Sequence, residues 1–296
     1  MEFLSRPRKA LSSNCVVLVS NRRYLHRCME TVWQLRLFGR YFGRVVVIVG
    51  DDLGGRLRRA AGAFLGVRFV QFRELELSNH QKAIEGGAGL GGKELKKLFQ
   101  YHKFWVFSEY FQCFDKVLYL DAGLRVMHPI SDVLALDCSQ KIIAHSDAYP
   151  RFETTLRDQF NLVDFPHLEE ELERQVPMAS DYFQTSMMLF DPSIGKSGAF
   201  SKLVGLLELF PNSKTNDQGI INLWALREKY WNPLPTYPIA TRGRRFYDFY
   251  ERDGLSADDY LMLKYPRGPL RRIDRVANIC FRVYWKIFSL FWTRNV

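Results

Sequence analysis

Cysteine is scarce and scattered. Five residues, Cys15, Cys28, Cys113, Cys138 and Cys280, occur in 296. An odd number at wide spacing suggests neither a disulfide framework nor a zinc site built from close ligand pairs, and it fits reduced thiols in a cytosolic setting. Histidine is also sparse, and none of the six follows His167. No apolar run is long enough to span a bilayer. The stretch after the basic N-terminus, Cys15 to Val19, is too short and strand-like for a secretory signal. Helix-turn-helix, RNA-recognition and zinc-finger signatures are absent, so nucleic acid is not an expected partner.

What is present describes an ordinary globular chain, 47% hydrophobic and 25% charged. Its length suits one large domain or one domain with a small appendage. The net charge of +10 favours anionic partners such as phosphates or a membrane surface. Half of that excess lies in residues 271–296, which hold six Lys or Arg, one Asp and six aromatics.

The chain is organised around Val117-Leu-Tyr-Leu120, an apolar run that stops abruptly at Asp121, Gly123 and Arg125. This pattern fits a buried parallel strand releasing polar groups at its C-terminal end, where open α/β sheets bind ligands. A core strand followed by a plain turn satisfies the local pattern equally well. Before it, strand and helix patterns alternate: Cys15–Ser20, a helical stripe over Tyr24–Phe38, Arg44–Val49, a helix over Leu53–Leu65, and Val67–Phe72. Repeated βαβ units predict a mostly parallel, Rossmann-like sheet with flanking helices. A helix is expected over Lys93–Phe111, and further strands over Lys141–His145 and Tyr182–Phe190. The acidic segment Tyr149–Asp181 between those strands reads as a helical excursion with a solvated face. A helix over Phe200–Phe210 precedes Thr215-Asn-Asp-Gln-Gly219, where Thr215 or Asn216 is placed to cap the next helix and Asp217 meets its dipole.

Two motifs are set aside. Gly87, Gly89 and Gly92 spell G-x-G-x-x-G, but the turn does not follow directly on a strand and no Lys-Ser/Thr pair follows it, so both dinucleotide and P-loop readings fail. His128 precedes a proline, has no partner His at ligand spacing, and reads as a turn residue.

Five segments in order resemble glycosyltransferase family 8, the glycogenin-like retaining sugar transferases with a GT-A fold. They are Ser20-Asn21-Arg22-Arg23-Tyr24, Lys103-Phe104-Trp105, Tyr119-Leu120-Asp121-Ala122-Gly123, Phe183 to Ser193, and Asn216 to Asn222. The resemblance implies one GT-A domain over 1–270, with a nucleotide-binding half over about 14–125 and an acceptor half over about 126–270. It implies donor contacts from Ser20, Asn21, Tyr24 (on the base), Lys103, Asp121, Ala122 and Gly123, and the charge of a departing diphosphate adds Arg125 and Arg267 as candidate donor contacts. Asp217 and Gln218 would lie beneath the sugar's reactive face, and Gln184, Thr185 and Ser186 would meet the sugar or acceptor. Asp147, just past a strand end, is placed either to hold sugar hydroxyls or to cap a turn.

The departures concern the metal. In the family, both carboxylates of Asp-x-Asp and a distant His hold a divalent ion, usually manganese, on the donor diphosphate. In this chain the second Asp is Gly123, and the segment Leu261 to Pro269 puts Lys264 at the His position. Two of three ligands are therefore missing, so neither manganese nor magnesium is an expected cofactor. A fixed cation can stabilise a departing diphosphate as a metal does, which makes Lys264 a third catalytic candidate beside Asp217 and Gln218. The expected activity is retaining, metal-independent transfer of a hexose or pentose from a nucleotide sugar, UDP-linked through Tyr24, to a glycan, lipid or protein acceptor. The competing expectation is a degenerate domain that binds a nucleotide or glycan without chemistry.

For the tail, a helix over 271–296 would align Ile273, Val276, Cys280, Tyr284, Ile287 and Phe291 on one face and Arg275, Asn278, Arg282, Lys286 and Ser289 on another. Such a helix suits a membrane interface, which would make the protein cytoplasmic and peripheral, or it docks on the protein's own core.

Overall fold

The computed structural model describes residues 14–73, 75, 95–148, 153–235, 244–252, 254–266 and 271–293. Arg267 and the glycine-rich turn at 87–92 lie outside these residues. Among the described residues ten strands are formed: β1 (Asn14–Val19), β2 (Arg44–Val49), β3 (Val67–Gln71), β4 (Lys116–Leu120), β5 (Arg125–Val126), β6 (Ile142–Ser146), β7 (Phe183–Phe190), β8 (Trp231–Pro233), β9 (Arg245–Asp248) and β10 (Tyr260–Leu263). Seven build a sheet of order β3-β2-β1-β4-β7-β6-β8, and β5-β10-β9 build a second sheet. The larger sheet is mixed, with β2 and β3 parallel, β6 and β8 parallel, and β6 and β7 antiparallel. The strands arise where β-branched and aromatic residues run uninterrupted, and β7 is buried along its whole length.

Two compact units are distinguished. In the first, comprising 16–71, 120–137 and 235–296, helix α1 (Leu25–Leu37) buries Leu25, Cys28, Met29, Val32 and Leu35 on the expected stripe. Helix α2 (Gly55–Leu65) ends at Gly66, whose φ of +61° gives the left-handed cap that glycine adopts without strain. In the small sheet, Met262 sits opposite Val126 and Leu263 opposite Asp248, so β10 delivers Lys264 immediately beyond its end. A short helix α3 (Ser131–Ala135) precedes the exit from this unit.

In the second unit, the α-helix expected over Lys93–Phe111 is instead a three-residue-per-turn helix over Leu95–Phe107, continued by a second over Glu109–Cys113 after an extended Ser108. A 3₁₀ coil stacks positions i and i+3, and Tyr101, Phe104 and Phe107 form one such buried row; His102, Lys103 and Val106 are buried beside it, so the segment is enclosed on more than one face. Trp105 lies flat on Phe200, with ring centroids 3.7 Å apart. The acidic excursion forms α4 (Glu169–Gln175), whose Arg174 pairs with Glu170 and Glu171 on an exposed face. Helices α5 (Ala199–Leu209) and α6 (Asp217–Arg227) follow. The expected side-chain cap of α6 is not made, because Thr215 donates its hydroxyl to Gln159 and Asn216 turns the chain at φ 55°.

The tail is helix α7 (Arg272–Thr293), packed on α1 of its own unit. The docked face is neither of the two faces foreseen. It consists of Asp274, Ala277, Asn278 and Phe281, all buried. Asn278 accepts a buried hydrogen bond from Gln34 at 3.0 Å, and Phe281 packs against His26 and Trp33. The row Ile273, Val276, Cys280, Ile287 points outward, together with Ile279 and Val283. Among the described residues, no helix is long and apolar enough to cross a membrane.

Candidate active site

The expected site residues fall into two constellations, one in each unit. The first is set by the turn after β4. Gly123 has φ +90°, a conformation that suits glycine, and its N–H donates to Thr31 Oγ1 at 3.0 Å. Thr31 in turn donates to Leu124 O at 3.0 Å, which pins the Asp121-Ala122-Gly123 turn against α1. Asp121 accepts from Lys264 Nζ at 2.7 Å, with side-chain exposures of 23% for the aspartate and 8% for the lysine. Beside them Tyr265 packs on Phe249 and Tyr250, and the Lys264 ammonium lies 5.7 Å from the Tyr265 ring centre. Burial and the nearby Asp121 carboxylate raise the Tyr265 hydroxyl above the ordinary tyrosine pKa.

Ser20 is fully buried and anchors the end of β1 to Ile48 through its N–H. Asn21 Oδ1 accepts from Tyr24 N, which starts α1 and leaves the Tyr24 ring exposed between the guanidiniums of Arg23 and Arg27. Arg125, foreseen at the donor, forms a largely buried pair with Glu30 at 2.6 Å. Sequence reasoning missed Arg27, Tyr250 and Tyr265. The signal for Arg27 was its spacing, one turn beyond Tyr24 on the polar side of the α1 stripe.

The second constellation joins β7, α6 and the end of β6. Asp217 and Lys103 pair at 2.6 Å with both side chains 7% exposed. Thr185 bridges them, donating to Asp217 Oδ2 and accepting from Lys103 Nζ, each at 3.1 Å. The Lys103 ammonium also lies 5.0 Å from the Tyr119 ring centre. Next to this pair, Gln218 Nε2 donates to Asp147 Oδ2 at 3.1 Å and Gln184 Nε2 to Asp147 Oδ1 at 2.7 Å. Gln218 also donates to Gln159, a member of the network concealed in the irregular excursion. Asn222 clamps the start of β7 by bonding both the N–H and the C=O of Phe183. Gln184 Oε1 is buried and has no donor among the described residues, an unmet acceptor of the kind a ligand hydroxyl can satisfy. Ser186 follows, buried on the same strand. Burial pushes the neighbouring Tyr182 hydroxyl up to about 12, and Asp147 adds to the rise.

No family model and no curated protein matches the sequence. Solved structures do match. The galactosyltransferase LgtC, determined with donor and acceptor sugar analogs, aligns at a TM-score of 0.54 and 16% identity, over 80% of this chain and 75% of LgtC. An active-site mutant of LgtC aligns at 0.58 and 14% identity, over 87% of this chain and 88% of that one. The fold is that of the GT-A glycosyltransferases. The bifunctional glycosyltransferase WbbM aligns at 0.53 and 15% identity over 88% of this chain, which spans about half of WbbM, 47% of its length.

The metal that family 8 would imply does not fit the residues of the first constellation. A divalent ion needs converging anionic or neutral oxygen ligands, whereas here Asp121 holds an ammonium and Gly123 offers no side chain. Among the described residues, no three His, Cys, Asp or Glu side chains converge to hold a metal. The other histidine of note, His128, bonds Asp258 at 2.9 Å beside Arg271, which accounts for it as part of an ion cluster.

Proposed function

We propose that the protein is a retaining glycosyltransferase that moves a sugar from a UDP-linked donor to a glycan, lipid or protein acceptor, with Lys264 in place of metal charge. The observation that carries this reading is the Lys264–Asp121 pair at the C-terminal end of the central strand of a GT-A fold. In this position an ammonium stabilises the charge that develops on a departing diphosphate, and Asp121 keeps it fixed. The bond from the anomeric carbon to the diphosphate oxygen breaks, and its electron pair leaves on that oxygen. The acceptor oxygen then bonds to the same face of the carbon, and its proton passes to the diphosphate. Donor contacts by Ser20, Asn21, Ala122 and Gly123 accompany base stacking on Tyr24.

Gln218 and Gln184, oriented by Asp147, meet sugar hydroxyls in this reading, and the unmet Gln184 carbonyl supports it. Asp217, already engaged by Lys103 and Thr185, acts by holding Gln218 at the start of α6. The test is a calorimetric screen of nucleotide sugars with EDTA and again with manganese, followed by NMR of the product's anomeric configuration. One donor bound in EDTA and an α-product from an α-donor are expected. An inverted product would overturn retention, and donor binding without turnover on any acceptor would favour a non-catalytic binding domain.

We propose further that the outward row of α7 rests on an anionic membrane surface. The exposed Ile273, Val276, Val283 and Ile287 are flanked by exposed Arg272, Arg275, Arg282 and Lys286, and this charge complements acidic headgroups while repelling a second copy of the same helix. Co-sedimentation with phosphatidylserine vesicles should be strong for the native chain and lost in Val276→Glu/Val283→Glu. Equal pelleting of both proteins would remove the membrane role.

A further inference from the structure

Arg27 has no part in the expected site, yet it occupies a telling place. Thr31 Oγ1 bonds the Arg27 carbonyl, the Gly123 N–H and the Leu124 carbonyl, so one hydroxyl ties this turn of α1 to the turn after β4. As a result the Arg27 stem lies along Gly123: a Cβ added there would sit 3.6 Å from Arg27 Cδ and 3.8 Å from Arg27 Cβ. The side chain that would complete Asp-x-Asp would therefore start in contact with Arg27. The guanidinium is exposed, and no carboxylate of the described residues pairs with it. Its carbon lies 5.9 Å from the Tyr24 ring centre, and its charge, like that of Asp121, acts on the Tyr265 hydroxyl. Arg27, Tyr24, Tyr265, Asp121 and Lys264 thus gather at one place within a single unit.

The geometry points to a two-cation clamp, in which Arg27 and Lys264 together bind the diphosphate of a nucleoside diphosphate without a metal; we propose that Gly123 belongs to this device. A carboxylate at 123 would neutralise the guanidinium, and at φ +90° any side chain would be strained. Glycine leaves Arg27 charged and available. The guanidinium fork suits two oxygens of a phosphate, and the ammonium, already held by Asp121, supplies a point charge. This deepens the transferase reading and rests on it for the class of ligand.

The experiment is calorimetry of UDP in EDTA on the full chain and on Arg27→Ala, Arg27→Lys and Lys264→Ala, with thermal melting as the control for folding. Arg27→Ala should bind UDP about 10- to 100-fold more weakly at an unchanged melting temperature, and Arg27→Lys should recover part of the loss. Because Arg27 is exposed, folding should survive both changes. Unchanged affinity in Arg27→Ala, with native binding intact in EDTA, would overturn the clamp while leaving the transferase reading in place. Binding by the native chain only with manganese would also overturn it. If UDP, GDP and ADP all fail to bind with or without manganese, the transferase reading falls and the clamp with it.

Discussion

Two lysine–aspartate pairs hold distant segments together, one joining the 3₁₀ helix to the start of α6 and one joining the ends of β4 and β10, and they are built differently. Lys103–Asp217 is closed: both side chains are 7% exposed, a threonine hydroxyl bridges them, and an aromatic ring lies near the ammonium. Lys264–Asp121 is open on the aspartate side, where 23% of the side chain reaches solvent. The closed pair is a structural joint, since removing one partner from a desolvated ion pair is strongly destabilising. Asp121 takes one of the three donors of the Lys264 ammonium, so the open pair can offer the others to an incoming anion while the partly solvated aspartate keeps its hold. Similar pair distances, 2.6 and 2.7 Å, therefore conceal different functions, and burial separates them.

The largest effect should come from breaking the closed pair. Lys103→Met leaves Asp217 buried without its cation and should lower unfolding free energy by about 3–5 kcal/mol in urea denaturation. Adding Asp217→Asn should restore part of it, since two neutral groups need no pairing. Lys264→Met should lower stability by ~1 kcal/mol or less, because Asp121 can hydrate, yet weaken UDP binding in EDTA by about 10- to 100-fold. If the two lysine variants lose similar stability, the distinction between joint and anion receiver collapses.

The central strand, the α1 stripe and the positions of the first three strands were legible because each is a local run whose period matches its element. The 3₁₀ segment was not, since its amphipathic look at period 3.6 hid an aromatic row of period three at Tyr101, Phe104 and Phe107. Lys264 and Asp121 are 143 residues apart, and no local pattern links them; only the resemblance set them side by side. Arg27 escaped because none of the matched segments includes it, and its meaning depends on Gly123, which is adjacent only in space. The tail shows another limit. Its hydrophobic pattern marked an apolar face, but docking chose Ala277, Asn278 and Phe281, a mixed stripe that satisfies a buried amide by pairing it with Gln34.

The smallest effect sharpens the comparison at a single hydroxyl. Thr185 was expected at the sugar or acceptor, but its Oγ1 both accepts from Lys103 and donates to Asp217. Thr185→Val keeps the shape and removes two bonds to charged groups, which should cost about 1.5–3 kcal/mol of stability. If the hydroxyl belongs to the joint, the acceptor KM stays unchanged while the urea midpoint falls. A raised acceptor KM at native stability would instead assign the hydroxyl to the acceptor, and the closed pair would then need only its two charges. The valine variant separates these outcomes because Thr185 is 3% exposed, so its packing is preserved and only the polar contacts are lost.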